Sequence, residues 1–394
     1  MANDILLSHS DTISITVSLA ALPGAVAAFN KILLIDNKAN SSLAGFGSEV
    51  TIGTHASKYV EIGGLSEASD ANTTTAGSVG TAMLAAITAI FGHSRSPTSV
   101  GILAVDTAGG DNYGIISTLD DAGYSDWYGV VPVTATLVTI ADIAAAVVAT
   151  RNTARPRLVI ACTNSADALA STATWEASFV DGNGDPLPET TLDRILMAYY
   201  NGTGGINKMA GAVASWGLSY DPDTQSLPWT FPVPSIPKMA FPAGTTITTA
   251  KNNLRDNNIS SALPLGGTDV WLDPGNSLSG RPFYSLVSAD WFEARLREAM
   301  ADLKVRYGSL GVKLPLSKDG QNIILAQIES LYQRGINAGH FLSREQAEAL
   351  GSTVIIRAEP ITSTDRTERR LRFTVQIPIL LDARLISISV TITQ

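Results

Sequence analysis

Four short apolar runs constrain this chain more than any other feature of its sequence. They are KILLID (31–36), SVGILAV (99–105), WYGVVPV (127–133) and RLVIAC (157–162). A strand with one wet face alternates apolar and polar residues, whereas a strand covered on both faces reads as a near-continuous apolar run. Between these runs lie stretches that read as helices: 78–91, 111–122 and 139–151. Strand and helix in alternation predict an α/β layer built on a mostly parallel sheet. Further helical stretches are expected near 165–172 and 189–200, and GAVASWGL (211–218) reads as another strand.

Residues 221–244 change character. DPDTQSLPWTFPVPSIPKMAFPAG holds six prolines, which remove backbone donors and fix φ, so neither a helix interior nor a central strand fits. The segment reads as an extended connector laid over a surface, because Trp229, Phe231, Ile236, Met239 and Phe241 need burial. Beyond it, DVWLD (269–273) and RPFYSLV (281–287) read as strands and 289–308 as an amphipathic helix. Its apolar side carries Trp291, Phe292, Leu296, Ala299, Met300, Leu303 and Tyr307. Glu293–Arg297 and Asp302–Arg306 have the i,i+4 spacing of ion pairs on its other side. A helix over 320–339 follows. Ser343 and Gln346 then have the spacing of a capping box, and strands are expected at 352–360 and 374–380.

The two extremities share one pattern. In DTISITVSL (11–19), Ile13, Ile15, Val17 and Leu19 alternate with Thr and Ser; in ISISVTIT (386–393), Ile386, Ile388, Val390 and Ile392 do the same. A period of two marks a half-buried strand. Such strands need partners, either within the chain or on another copy.

Composition narrows the function. Charged residues make up 16% of the chain, low against the usual quarter, which suits a protein that buries much of its exterior against neighbours. The net charge of −9 argues against nucleic acid as a partner, and it is unevenly placed: −12 over residues 1–280 and +3 over 281–394. No basic n-region with an apolar core opens the sequence and no apolar stretch reaches membrane-spanning length. The expectation is a soluble protein made in the cytoplasm, with no membrane insertion.

A search for chemistry returns little. His9, His55, His93 and His340 have no ligand-type spacing, and Cys162 closes an apolar run as a buried thiol would. The nucleophile-elbow, zinc-protease and phosphate-loop patterns are absent. DGNGD (181–185) imitates the start of a calcium loop, but Pro186 replaces its glycine and Leu192 its glutamate, so it reads as a turn. The cluster Arg366, Arg369, Arg370 and Arg372 is interrupted by Glu368 and reads as structural or interfacial. No catalytic, metal or cofactor site is expected.

Several segments resemble the contractile tail sheath proteins of myovirus-type bacteriophages and related tail-like particles. AAITAIFGHSRSPTSVGILAVD (85–106) is similar to a helix–loop–strand passage of that family, and DWYGVVPV (126–133), IADIAAAVVATRN (140–152) and RPRLVIAC (155–162) to the next unit. SADWFEARLREAMADL (288–303) resembles an Asp-Trp-Leu-Glu-Ala-Arg-Leu helix of phage sheath-like proteins, and ARLISISVTI (383–392) its terminal hairpin. Residues 174–210 and 221–244 have no clear counterpart.

The resemblance implies a multi-domain α/β and α+β subunit. Its parts would be an N-terminal strand arm (1–21), an outer α/β body (22–220), a proline-rich connector (221–268), an inner, tube-facing α+β domain (269–380) and a C-terminal strand arm (381–394). It implies helical self-assembly around a tail tube, with baseplate and tail terminator proteins at the ends. The arms would add strands to neighbouring subunits, and LPG (22–24) would be a hinge. Contraction of the lattice would drive the tube through a host envelope without a cofactor, in a virion tail assembled in the host cytoplasm. Arg295, Arg297, Lys304 and Arg306 are the expected tube-facing residues. The competing readings are terminal strands that pair within their own chain, another phage or surface-layer subunit, and an α/β ligand-binding enzyme.

Overall fold

The computed structural model describes residues 12–14, 29–39, 41–43, 46, 49–52, 57–68, 79–93, 96–106, 113–124, 126–133, 135–151, 156–202, 205–229, 246–265, 269–368 and 371–380. Its strands are β1 (Thr12–Ser14), β2 (Ile32–Asn37), β3 (Val50–Ile52), β4 (Ser57–Ile62), β5 (Val100–Val105), β6 (Gly129–Pro132), β7 (Leu158–Thr163), β8 (Ile195–Tyr199), β9 (Ser260–Leu265), β10 (Asp269–Asp273), β11 (Ile355–Ala358) and β12 (Phe373–Pro378). Its principal helices are α1 (Thr81–Phe91), α2 (Ile115–Asp121), α3 (Leu137–Arg151), α4 (Thr172–Ser178), α5 (Glu189–Leu192), α6 (Gly205–Leu218), α7 (Ile247–Asp256), α8 (Phe283–Ser309), α9 (Lys318–Asn337), α10 (Arg344–Ala349) and α11 (Ser363–Glu368).

The four apolar runs became β2, β5, β6 and β7, neighbours in a nine-stranded sheet of order β10-β9-β8-β7-β6-β2-β5-β4-β3. The six strands from β9 to β5 are mutually parallel; β10 and β4 run antiparallel to them at the two ends of that set, and β3 pairs antiparallel with β4 at the edge. Both faces are covered, which is why the runs do not alternate. Ile32 and Leu34 point into a cluster with helices α1 and α6, while Leu33 and Ile35 point into a second cluster with α2 and α3. The first cluster continues without a break into Trp291, Phe292, Phe341 and Ile377. The second sheet is small, of order β1-β12-β11, so mixed α/β and α+β layers share one apolar core.

Three expectations are corrected. Residues 195–199 of the expected helix 189–200 form β8, fully buried between β7 and β9; a short apolar run buried on both faces has no period that separates strand from helix. GAVASWGL is the second half of α6, not a strand. Its small residues serve a close helix contact: a Cβ on Gly211 would sit 2.6 Å from the Ala86 carbonyl oxygen of α1. RPFYSLV opens α8 rather than forming a strand, with Pro282 at the N-cap and Phe283, Tyr284, Ser285 and Leu286 all buried. A helix turn covered on all sides loses its amphipathic signature.

Residues 247–265, expected within the connector, contain α7 and β9, and β10, expected to open the C-terminal domain, pairs with β9 at the edge of the large sheet. The chain leaves that sheet only at α8. Residues 230–245 of the proline-rich stretch lie outside the described residues; its start, 221–229, runs along the C-terminal helices to a buried Trp229.

Candidate assembly interface

The small sheet is made from opposite parts of the sequence. Along β12 and just beyond it, Val375, Ile377 and Ile379 alternate into the core, a period of two fixed by burial on one face. β11 pairs antiparallel on one side, from Ile355↔Gln376 to Ala358↔Phe373. β1 pairs antiparallel on the other, with Thr12↔Pro378, Ile13↔Ile377 and Ser14↔Gln376. Of the eight expected arm residues only Ile13 falls within the described residues, and it stands opposite Ile377 in its own chain. Ile15, Val17, Leu19, Ile386, Ile388, Val390 and Ile392 lie outside them. Among the described residues β11 pairs with β12 alone, so its outer edge presents unpaired backbone groups. Ile355 and Ile356 there are half-buried and Arg357 is exposed.

Helix α8 carries the four expected tube-facing residues, and its geometry divides them. At about 100° per residue, Arg297 and Lys304 share one face, while Arg295 and Arg306 lie on nearly the opposite one. Arg295 is turned inward, its side chain 11% exposed. Its Nε and Nη2 donate to the two carboxylate oxygens of Asp223 at 3.0 and 2.7 Å, and its Nη1 donates to Glu298 at 2.7 Å. Arg297 pairs with Glu293 at 2.5 Å and Arg306 with Asp302, the two i,i+4 pairs expected from spacing. Lys304 is exposed.

Two polar centres anchor this helix, and neither was singled out from the sequence. Asp290 is fully buried and accepts from the Arg194 guanidinium and from the Tyr128 hydroxyl at 2.9 Å, tying α8 to β8 and β6. Burial opposes the Arg194 charge, but the Asp290 carboxylate outweighs it and holds the guanidinium above its usual pKa. The second centre is Asp223, at the root of the proline-rich stretch. It accepts from Trp291 Nε1 at 2.8 Å and Arg334 Nη2 at 3.0 Å as well as from Arg295, so one carboxylate clasps α8 and α9. Burial works against its ionisation. The hydrogen bonds from Arg295 and Trp291 and the Arg295 and Arg334 charges prevail, and its pKa lies below the usual carboxylate range.

His340 closes the same clasp. Its Nε2 donates to the Pro222 carbonyl at 2.6 Å, so Nδ1 accepts the Ser288 hydroxyl at 2.8 Å, and the ring stacks on Trp291. Burial holds its pKa below the ordinary value, against the opposing pull of the Pro222 hydrogen bond and the Asp223 charge. No pattern in the sequence distinguishes Asp223 or Asp290 from other carboxylates, because their partners are up to 162 residues away.

Of the residues weighed for chemistry, His9, His55, Arg369 and Arg370 lie outside the described residues, and the polar groups nearby that are described have structural partners. At the carboxyl end of β2, Asp36 accepts the Ser41 hydroxyl at 3.0 Å and Lys38 pairs with Asp106 at 3.1 Å. Cys162 is buried, which pushes its thiol pKa up. DGNGD forms a turn in which one Asp181 oxygen accepts the backbone N–H groups of Asn183 and Asp185, each at 2.9 Å. Arg372 donates to both oxygens of the buried Asp365 at 2.9 and 3.0 Å. Among the described residues, no three His, Cys, Asp or Glu side chains are grouped to hold a metal ion.

This architecture recurs in solved structures. One match is to a chain of the anti-feeding prophage (AFP) baseplate, 6-fold symmetrised, with a TM-score of 0.63 at 10% identity, covering 97% of this chain and 98% of that one. A second is to the AFP helical sheath in its contracted state (TM-score 0.57, 12% identity, 96% and 97% covered). A third is to the sheath complex of an extracellular contractile injection system, PVC, also contracted (TM-score 0.58, 13% identity, 96% and 95% covered). The fold is that of a contractile tail sheath protein. No protein-family model matches the chain, and no curated protein matches it in sequence. The sheath fold accounts for both sheets and the helices between them, since the alignments run nearly end to end.

Proposed function

We propose that this protein is the structural subunit of a contractile sheath. Copies polymerise helically around a tail tube, neighbours are linked by donated terminal strands, and contraction drives the tube through the envelope of a target cell. The observation that carries this reading is end-to-end likeness of fold to subunits of two contracted sheaths. The small sheet supports it from below: one edge of β12 takes a strand from the far N-terminal part of the sequence, and the outer edge of β11 is unpaired among the described residues. Both edges suit strand addition, in which main-chain hydrogen bonds give affinity and alternate side chains give register.

In this reading the particle is a virion tail or a tail-like device assembled in the producing cell's cytoplasm, with baseplate and terminator proteins at the sheath's ends. The large-sheet body lies outward and the C-terminal helices inward. The tube-facing surface is the Arg297–Lys304 face of α8, since Arg295 is committed to Asp223.

Electron microscopy of the purified chain tests the proposal, with hollow striated cylinders as the expected product. Deleting residues 383–394 should leave a folded monomer that no longer polymerises. An insoluble, unfolded product would instead assign that segment to its own chain's core. Full polymerisation without it would remove strand donation at that end.

A further inference from the structure

Helix α8 gives the molecule two unlike ends. Its 27 residues span about 40 Å. Through Leu303 it is largely embedded, and beyond it most residues of the last turns are exposed. Val305, Leu310 and Val312 are 67%, 70% and 55% exposed, the most exposed large apolar side chains described apart from Leu350. Between Asp302 and Asp319 the chain has four basic residues and no acid. Arg306, paired with the equally exposed Asp302, and Lys313 therefore border an apolar knob whose stretch, residues 302–319, is net basic by two charges.

The other end of the helix has the opposite charge. Between Arg157 and Arg194 the chain has six acidic residues and no basic one. The later part of that stretch lies beside the start of α8: the Ser279 hydroxyl donates to Asp193, Arg281 pairs with Asp193 at 3.4 Å, and Leu278 N–H donates to the Ile195 carbonyl at 3.0 Å. Asp193 is thereby occupied, whereas the Glu189 side chain is 75% exposed and lies 3.9 Å from Arg281. Asp185, Pro186 and Pro188 around it are exposed too, which supplies apolar surface between carboxylates.

We propose that the occupant of the α8 knob is a second copy of this chain, docked through its Asp185–Glu189 surface in a head-to-tail contact. Complementary patches at opposite ends of one rigid element make a heterologous interface, which repeats along an open filament instead of closing into a dimer. The charges steer encounter and set register, and Val305, Leu310 and Val312 gain burial against Pro186 and Pro188. The proposal rests on the helical self-assembly argued above. It uses Arg306 and Lys313 and leaves the Arg297–Lys304 face to the tube.

Reciprocal charge reversal is the test, read by light scattering as the concentration at which the purified full-length chain begins to polymerise. Arg306→Glu with Lys313→Glu should raise it at least tenfold, as should Asp185→Lys with Glu189→Lys, with urea midpoints unchanged. Combining all four substitutions in one chain should bring it back toward the wild-type value. Val305→Ser with Leu310→Ser should raise it too, without altered salt dependence. Folded charge-reversal variants that polymerise at the wild-type concentration overturn the contact, as does a quadruple variant no better than either parent. A wild-type chain that forms no polymer at all overturns the proposed function, and this contact with it.

Discussion

Replacing Asp223 with alanine isolates the clasp that fastens the connector to the C-terminal helices. The carboxylate receives four hydrogen bonds from three side chains, and they are unequal in weight. The Arg334 side chain is 54% exposed, so that contact contributes at most about 0.5 kcal/mol. Arg295 and Trp291 are the substantial partners, since hydrogen bonds to a charged group are worth roughly 1.5–3 kcal/mol each. Glu298 continues to neutralise Arg295 after the substitution, which keeps the loss below the roughly 3–5 kcal/mol of an orphaned buried charge. The expected cost is about 3 kcal/mol for Asp223→Ala and about half that for Asp223→Asn, which keeps an acceptor. Urea unfolding of the unassembled protein at constant m-value measures it. A double-mutant cycle with Arg295→Ala should return a coupling of at least about 1 kcal/mol. The reasoning is refuted if Asp223→Ala costs under about 1 kcal/mol, or if Arg334→Ala costs as much.

The same clasp gives a pH dependence with a definite sign. His340 titrates below its unfolded value of about 6.5, so the unfolded chain binds the proton first and stability falls as pH drops below about 6.5. Asp223, depressed below the usual carboxylate value, adds stability that is present above about pH 4 and is lost as pH falls through its native pKa. His340→Gln should remove the upper part of the decline in urea midpoint; an unchanged slope between pH 6.5 and 5 would assign it to another group. Separately, Gly211→Ala drives a Cβ to 2.6 Å from the Ala86 carbonyl oxygen, a backbone atom that cannot swing aside. Overpacking against a backbone atom, at the upper end of the usual range or about 2–3 kcal/mol, less a helix-propensity gain of about 1 kcal/mol, predicts a net loss of about 1–2 kcal/mol. A neutral or stabilised variant would show that α1 and α6 separate freely.

What was legible in the sequence follows from which forces are local. β2, β5, β6 and β7 could be read because burial on both faces leaves a continuous apolar run, and the helices between them because one face stays wet. The capping box at Ser343 and Gln346 was read from spacing, and both of its hydrogen bonds form. The errors fall where burial erases the period: β8 and the first turn of α8 are covered on every side, and α6 substitutes small residues for an apolar stripe. The basic side of α8 was read as one surface because residue type carries no direction. Helical phase places Arg295 and Lys304 on opposite faces, and the Asp223 carboxylate then draws Arg295 inward. The Asp223 and Asp290 centres were invisible because each depends on partners that only the tertiary fold brings near.

The pairing of β1 with β12 inside one chain bears on strand donation, and the two are less opposed than they look. The ladder covers three residues, Thr12–Ser14, and another copy's β1 would meet β12 in the same register with the same backbone hydrogen bonds. Ladder energy therefore cancels between the closed and exchanged forms. What remains is the connection between strand and body, which favours closure, and the other contacts between copies, which favour exchange. A strand tethered to its own body is held at an effective concentration of at most roughly millimolar, so dilute chains close on themselves. Exchange would prevail only where contacts between copies raised the local concentration of β12 edges above that level. Closure in the isolated chain is thus the state from which lattice formation would draw its arms. Weakening the α8 knob should then return strands to their own chains before it unfolds anything.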